Sequence, residues 1–222
     1  MQSDKNYTKK WLAFGMLFCC SISFQVKATD IDSQKLISNK ILVVGDSLSA
    51  EYGLAHDTGW VFLLAQKLNE QKSPYVVLNS SISGETTAGG LQRLPLLIEK
   101  NHPRVLIIEL GANDALRGLA LEDSRQNLQR MIQMTKAYGG QILLLGMEIP
   151  PNYGKNYTQS FKKMYPQISE KYQISLVPFF LEGVALNPNL FQSDRLHPNE
   201  KAQPILLKNV LPKLLPLLSH KN

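Results

Sequence analysis

The chain has 222 residues, a formal net charge of +6 at pH 7 and two cysteines, Cys19 and Cys20. This length is enough for one well-buried domain, and a second domain is not expected. The mild basicity does not indicate nucleic-acid binding, because no Lys/Arg run is interleaved with aromatic residues.

The first 28 residues have the pattern of a secretory signal peptide. Lys9-Lys10 precedes an apolar stretch over 11–26, and Val26-Lys27-Ala28 forms a small-residue cleavage site. An uncleaved anchor is the alternative, but this stretch is shorter than the roughly 20 apolar residues of a transmembrane helix. We therefore expect cleavage after Ala28, a lead-in over 29–39, and a periplasmic or secreted protein. Cleavage would remove both cysteines, which excludes cysteine catalysis and thiolate metal sites.

Past residue 40, short apolar runs alternate with segments of helical spacing. Strands are expected at 41–44, 75–78, 105–110, 142–145 and 174–177. Helices are expected over 59–70 with Thr58 as N-cap, over 122–138 ending at Gly139-Gly140, and over 203–218 with a kink or break at Pro212. This alternation predicts βαβ crossovers and a five-stranded parallel sheet within a three-layer α/β/α sandwich of flavodoxin-like type, spanning 40–218.

The first predicted strand stops at Gly45-Asp46-Ser47, which places Ser47 at the carboxyl end of the strand, where open α/β sheets bind ligands. A serine hydroxyl becomes a good nucleophile when a correctly oriented base takes its proton. Asp194 and His197 are three residues apart, so in one helical turn or a tight loop the carboxylate can reach the imidazole. An ordinary surface contact between Asp194 and His197 is the alternative, because this spacing is common.

Hydrolysis also requires donors directed at the oxyanion. Gly84 follows the second strand and Asn113 follows the third, so the Gly84 N–H and the Asn113 side-chain amide are candidate donors. A plain turn glycine and a helix cap or Asx turn are the alternatives for these two positions. Asp46 and Asp114 are expected to order their loops rather than to react.

These residues form four blocks, "GDSLS" at 45–49, Gly84, "GAND" at 111–114 and Asp194…His197, which resemble the SGNH (GDSL) hydrolases in the family's order. The similarity covers 40–217 and is closest to the bacterial thioesterase I, arylesterase and lysophospholipase group. The resemblance implies strand order 2-1-3-4-5, Ser47 as nucleophile, Asp194 and His197 as the rest of the triad, and an oxyanion hole from the Ser47 and Gly84 N–H groups and Asn113. Glu51 departs from the group, which often has a small residue there.

The expected activity is hydrolysis of carboxylic esters and thioesters of acyl chains through an acyl-enzyme, without a cofactor or metal. The tentative substrate-binding residues lie in two loops expected over the site: Leu116, Leu119, Pro151 and Tyr153. Buried leucines that close the core are an equally good interpretation of the first two. The expected partner is a small-molecule acyl ester, thioester or lysophospholipid, with no nucleic acid, no stable membrane span after processing, and a monomeric chain. A carbohydrate or cell-envelope O-deacetylase and a non-catalytic binding protein of the same fold are the alternatives.

Overall fold

A five-stranded parallel sheet forms the centre of the computed structural model, which describes residues 38–219. The predicted signal peptide and most of the lead-in lie outside the described residues. The strands are β1 (Ser38–Gly45), β2 (Val76–Asn79), β3 (Pro103–Glu109), β4 (Gln141–Leu145) and β5 (Ser175–Val177). Their order is β2-β1-β3-β4-β5, which confirms the predicted order, and all neighbours are parallel.

Helices cover both faces of the sheet. They are α1 (Trp60–Glu70), α2 (Thr87–Asn101), α3 (Ala112–Leu116), α4 (Leu121–Ala137), α5 (Lys155–Tyr172) and α6 (Gln203–Ser219). Helix α1 packs against α6, whereas α2, α4 and α5 pack side by side. Because the central strands have helices on either side, Ile41–Val44 and Val105–Ile108 are fully buried. The predicted three-layer α/β/α fold is therefore confirmed.

Two details of the helix predictions are wrong. Helix α1 has Gly59 as its N-cap without a side-chain cap, and the Thr58 hydroxyl instead donates to the carbonyl of Ala55. A kink or a break was predicted at Pro212; helix α6 continues past it to Ser219 as one helix, so the break is wrong. Proline removes one helical hydrogen bond, and the burial of Leu206, Leu207, Val210 and Leu214 against the core offsets that cost.

The loops at the carboxyl ends of all five strands lie at one edge of the sheet, because all strands run in the same direction. Among residues 38–219, no helix combines the length and apolarity needed to cross a bilayer.

Candidate active site

A chain of hydrogen bonds links three side chains at this edge. His197 Nε2 lies 3.0 Å from Ser47 Oγ, and His197 Nδ1 lies 2.6 Å from Asp194 Oδ2. The carboxylate requires a donor from the imidazole, so Nδ1 carries the proton and Nε2 is left to accept one from the serine hydroxyl. The arrangement can therefore withdraw a proton from Ser47 as Oγ forms a bond to a carbonyl carbon.

The Asp194 carboxylate is held by its own loop. Its Oδ1 atom accepts the backbone N–H groups of Leu196 (2.9 Å) and His197 (3.0 Å), a turn that requires Arg195 in the left-handed region at φ 56°. The backbone and imidazole hydrogen bonds of His197, with the N–H of Leu196, lower the pKa of Asp194 to about 2. The Asp194 carboxylate is therefore ionised at neutral pH and can accept the hydrogen bond from His197 Nδ1.

The turn that carries Ser47 is ordered by the residue before it. Asp46 is buried, and its Oδ1 atom accepts the N–H of Leu48 at 3.0 Å. Burial raises the pKa of Asp46 to about 6, although the hydrogen bonds from Leu48 and Asn113 act in the opposite direction. Asp46 lines the inner end of this turn next to Ser47, and its Oδ1 atom stabilises the turn through the N–H of Leu48.

Two backbone N–H groups are open to a ligand at this edge. Within residues 38–219, neither the N–H of Ser47 nor that of Gly84 donates a hydrogen bond to the protein. Gly84 lies at φ 78°, a conformation that favours glycine, and its carbonyl is fixed by the Arg117 guanidinium at 2.9 Å. Both N–H groups are therefore candidates for donation to a ligand.

Asn113 is more constrained than its sequence motif indicates. Its Nδ2 atom donates to Asp46 Oδ2 at 2.9 Å and to the carbonyl of Glu85 at 3.0 Å, which engages both amide hydrogens. Donation to an oxyanion requires one of these hydrogens to be shared with it. The two contacts fix the amide beside Ser47, in the loop that follows β3.

A second buried carboxyl group, which sequence reasoning missed, lies behind the Ser47 turn. Glu109 at the end of β3 is fully buried, and its Oε2 atom accepts the N–H of Asp46 (3.1 Å) and the hydroxyl of Ser49 (2.9 Å). Its Oε1 atom has no hydrogen-bond partner among the described residues. Burial and the neighbouring Asp46 carboxylate raise the pKa of Glu109 well above its usual value. The sequence offered one signal for this role, because Glu109 is a charged residue near the end of the apolar run that predicts the third strand.

Asp114 holds the Asn113 loop to the neighbouring helices. Its carboxylate accepts the N–H of Thr87 (2.9 Å) and the hydroxyls of Thr87 (2.5 Å) and Ser124 (3.1 Å). All three residues are buried. This network joins α2, α3 and α4, so Asp114 stabilises the loop and lies away from the Ser47–His197 contact.

An apolar cleft of about 790 Å³ opens beside Ser47, Asn113 and His197. Of the sequence-predicted substrate residues, Leu116 and Pro151 line it. Leu119 and Tyr153 lie outside its lining; Leu119 is exposed, and the Tyr153 hydroxyl donates to the carbonyl of Leu116. Sequence reasoning missed six large apolar side chains of the lining that follow β4 and β5: Met147, Ile149, Phe179, Leu181, Leu186 and Phe191. Their position after strand ends was the signal that could have found them.

Within residues 38–219, no cluster of three or more His, Cys, Asp or Glu side chains could hold a metal ion.

The fold and the site together define a class: α/β hydrolytic enzymes that place a serine, a histidine and an aspartate at the carboxyl edge of a parallel sheet. Residues 43–204 match the GDSL-like lipase/acylhydrolase family. The chain belongs to this family, and it is an enzyme that hydrolyses ester bonds.

Known relatives agree with this placement. The chain is 47% identical to the esterase TesA of Pseudomonas aeruginosa over 84% of this chain and 92% of the relative. It is 37% identical to thioesterase 1/protease 1/lysophospholipase L1 of Escherichia coli K12, over 92% of each chain. Among solved structures, the psychrotrophic esterase EstA of Pseudoalteromonas, inhibited by monoethylphosphonate, superposes with a TM-score of 0.78 at 41% identity, over 82% of this chain and all of the other.

Proposed function

We propose that this enzyme cleaves acyl esters and thioesters through an acyl-enzyme on Ser47, with His197 and Asp194 completing the triad. The single observation that carries the proposal is the Ser47–His197–Asp194 hydrogen-bond chain at the mouth of the apolar cleft. Ser47 Oγ forms a bond to the acyl carbon while its proton passes to His197 Nε2. The bond to the leaving alcohol or thiol then breaks, and the leaving group takes that proton.

The second half of the reaction uses the same residues in reverse. Water attacks the acyl carbon and gives a proton to His197 Nε2, and the bond to Ser47 Oγ breaks as this oxygen regains the proton. In both halves the negative charge on the carbonyl oxygen is held by the N–H groups of Ser47 and Gly84 and by a shared hydrogen of Asn113. Asp194 stabilises the imidazolium and keeps Nδ1 protonated.

The cleft supports an acyl chain as the recognised part of the substrate. Leucine, isoleucine, methionine, proline and phenylalanine residues form much of its lining, which suits an acyl chain. The lining also includes the polar side chains of Glu148, Glu182, Asn187 and Arg195. The relatives are named esterase TesA, arylesterase and thioesterase 1/protease 1/lysophospholipase L1, so their names include both ester and thioester hydrolysis. We therefore propose specificity for the acyl chain and tolerance of the leaving group.

A substrate panel tests this proposal. We expect kcat/KM for p-nitrophenyl esters to rise from acetyl towards longer chains by up to about fourfold per methylene, because each buried CH₂ contributes about 0.8 kcal/mol. The rise should stop when the cleft is filled. The same panel includes an acyl-CoA, a lysophospholipid and an acetylated sugar. Highest kcat/KM for the acetylated sugar would replace the acyl-chain proposal with the O-deacetylase alternative.

We further propose that the enzyme acts as a monomer in the periplasm or outside the cell, after cleavage following Ala28. The Lys9-Lys10 pair, the apolar stretch over 11–26 and the A-x-A type site support this proposal. N-terminal sequencing of the exported protein should begin at Thr29, whereas a retained Met1 would indicate an anchored enzyme. Light scattering coupled to gel filtration should give the mass of one processed chain.

A further inference from the structure

The ring of Tyr52 lies against the imidazole of His197. The two ring centroids are 4.5 Å apart and the rings are tilted by 42°. Tyr52 is 49% exposed and does not line the apolar cleft. It therefore contacts the histidine from outside the apolar cleft.

This contact limits a motion that the triad hydrogen bonds leave free. Ser47 and Asp194 fix the two nitrogen atoms at opposite edges of the imidazole. A planar ring held at two edges can still rock about the line that joins them. The Tyr52 ring, with its centroid 4.5 Å from that of the imidazole, restricts this rocking and supplies a third point of support.

Gln192 joins the Tyr52 loop to the His197 loop. Its side-chain Nε2 donates to the carbonyls of Tyr52 (2.8 Å) and Pro198 (3.1 Å), and its backbone N–H donates to the carbonyl of His197 (2.8 Å). Gly53 packs closely on this amide, and a Cβ atom at Gly53 would collide with it. The two loops are 140 residues apart in sequence and are tied through one side chain.

Glu51 closes the loop that carries Tyr52. It lies in the left-handed region at φ 57°, where a residue with a side chain is strained. Its carboxylate accepts the N–H groups of Gly59 (2.7 Å) and Asp57 (3.2 Å), which ties the loop to the start of α1. This pair of hydrogen bonds offsets the backbone strain and gives Glu51 a role that its sequence position did not indicate.

We propose that Tyr52 is a positioning residue that holds the His197 ring in line with Ser47, and that Glu51 and Gln192 fix Tyr52 in place. The inference rests on the proposed function, since it assigns Tyr52 a role through His197. It concerns the rate of the chemical steps, because Tyr52 lies outside the acyl cleft.

The first experiment compares three variants with p-nitrophenyl butyrate. Tyr52→Ala should lower kcat by about tenfold with KM changed less than twofold, since small misplacements of a reacting group cost up to about 10²-fold. Tyr52→Phe should keep kcat at the wild-type value, because phenylalanine retains the ring that lies beside His197. Phe62→Ala removes an exposed aromatic ring from α1 and should leave kcat unchanged.

A kcat of Tyr52→Ala within twofold of wild type would overturn the inference. Equal losses in Tyr52→Ala and Tyr52→Phe would also overturn it, because the hydroxyl would then be responsible. The Ser47→Ala variant separates these outcomes from a failure of the proposed function. If Ser47→Ala is inactive and Tyr52→Ala is normal, the triad stands and only the positioning role is lost.

A double-mutant cycle tests whether Glu51 acts through Tyr52. Glu51→Ala should lower kcat on its own, but it should add less than twofold in the Tyr52→Ala background, because coupled residues are not additive. Fully multiplicative losses would show that Glu51 acts independently and would remove it from the proposal.

The same variants can be followed by the downfield proton resonance of His197 Nδ1–H, which should broaden in Tyr52→Ala and stay sharp in Phe62→Ala. A sharp resonance in Tyr52→Ala would contradict the proposed restraint.

Discussion

The carboxylate of Asp46 accepts a hydrogen bond from the side-chain amide of Asn113 at 2.9 Å. This contact connects the turn that follows β1 to the loop that follows β3. The turn that presents Ser47 and the amide proposed to bind the oxyanion are therefore held by one carboxylate. Four predictions test the proposed catalytic residues and the buried carboxyl group of Glu109.

Ser47→Ala should abolish hydrolysis of p-nitrophenyl esters. Loss of a triad nucleophile lowers kcat by about 10⁶-fold, because the acyl-enzyme can no longer form. Steady-state rates and phosphonate labelling of the purified variant check the result, with unfolding temperature as the control for structure. Activity near the wild-type rate would refute the assignment of Ser47.

Asn113→Ala should lower kcat by about 10²–10³-fold through the loss of one oxyanion donor. Asp46→Asn should also lower kcat, because its amide would place a donor opposite the Asn113 amide. The double variant should be no slower than Asn113→Ala, since Asp46 acts on the oxyanion through Asn113. If the circular dichroism melts show that Asn113→Ala is simply unfolded, Asn113 is structural instead.

Asp194→Asn should reduce kcat by about 10⁴-fold while the fold is retained. The new amide would donate to His197 Nδ1, which would then have to accept, leaving Nε2 protonated and unable to take the proton of Ser47. The kcat of the variant against p-nitrophenyl butyrate checks this. A loss below tenfold would mean that the carboxylate does not set the tautomer of His197.

Glu109→Gln should stabilise the protein increasingly as the pH rises. The folded pKa of Glu109 is raised well above its usual 4.5, so the folded protein keeps a proton that the unfolded chain loses. The free energy of unfolding of the wild type therefore falls as the pH rises above 4.5, by up to about 1.4 kcal/mol per pH unit. Glutamine at position 109 has no such proton, so the variant lacks this loss of stability. Its oxygen can still accept from Asp46 and Ser49.

Urea unfolding at pH 5 and pH 8 measures this effect. The difference in unfolding free energy between Glu109→Gln and wild type should be larger at pH 8. Glu99→Gln on the exposed face of α2 is the matched control and should show the same difference at both pH values. A pH-independent difference for Glu109→Gln would show that Glu109 is ionised at no cost in the folded protein.

Local sequence patterns predicted the strands and those contacts that form between residues close together in the chain. Apolar runs such as Ile41–Val44 are strands because a strand covered on both faces must be apolar throughout. The hydrogen bond of Asp194 to the N–H of His197 forms within a few residues, so its spacing was readable. The N-cap at Thr58 and a break at Pro212 were wrong because capping and helix continuity depend on contacts from distant parts of the chain. These are the Glu51 carboxylate on the N–H of Gly59 and the core beneath α6.

The sequence by itself determined the alternation of strands and helices and the positions of Ser47, Asp194 and His197 in predicted loops. The family was predicted from the resemblance of its four sequence blocks. Tertiary structure alone decided how these loops meet. The 3.0 Å contact of Ser47 with His197 joins residues 150 positions apart, and the supports from Tyr52, Gln192 and Glu109 lie on different strands and loops. Periodicity reports only the burial of each residue along its own element. Distances between loops depend on strand order and register, which the whole packed sheet fixes together.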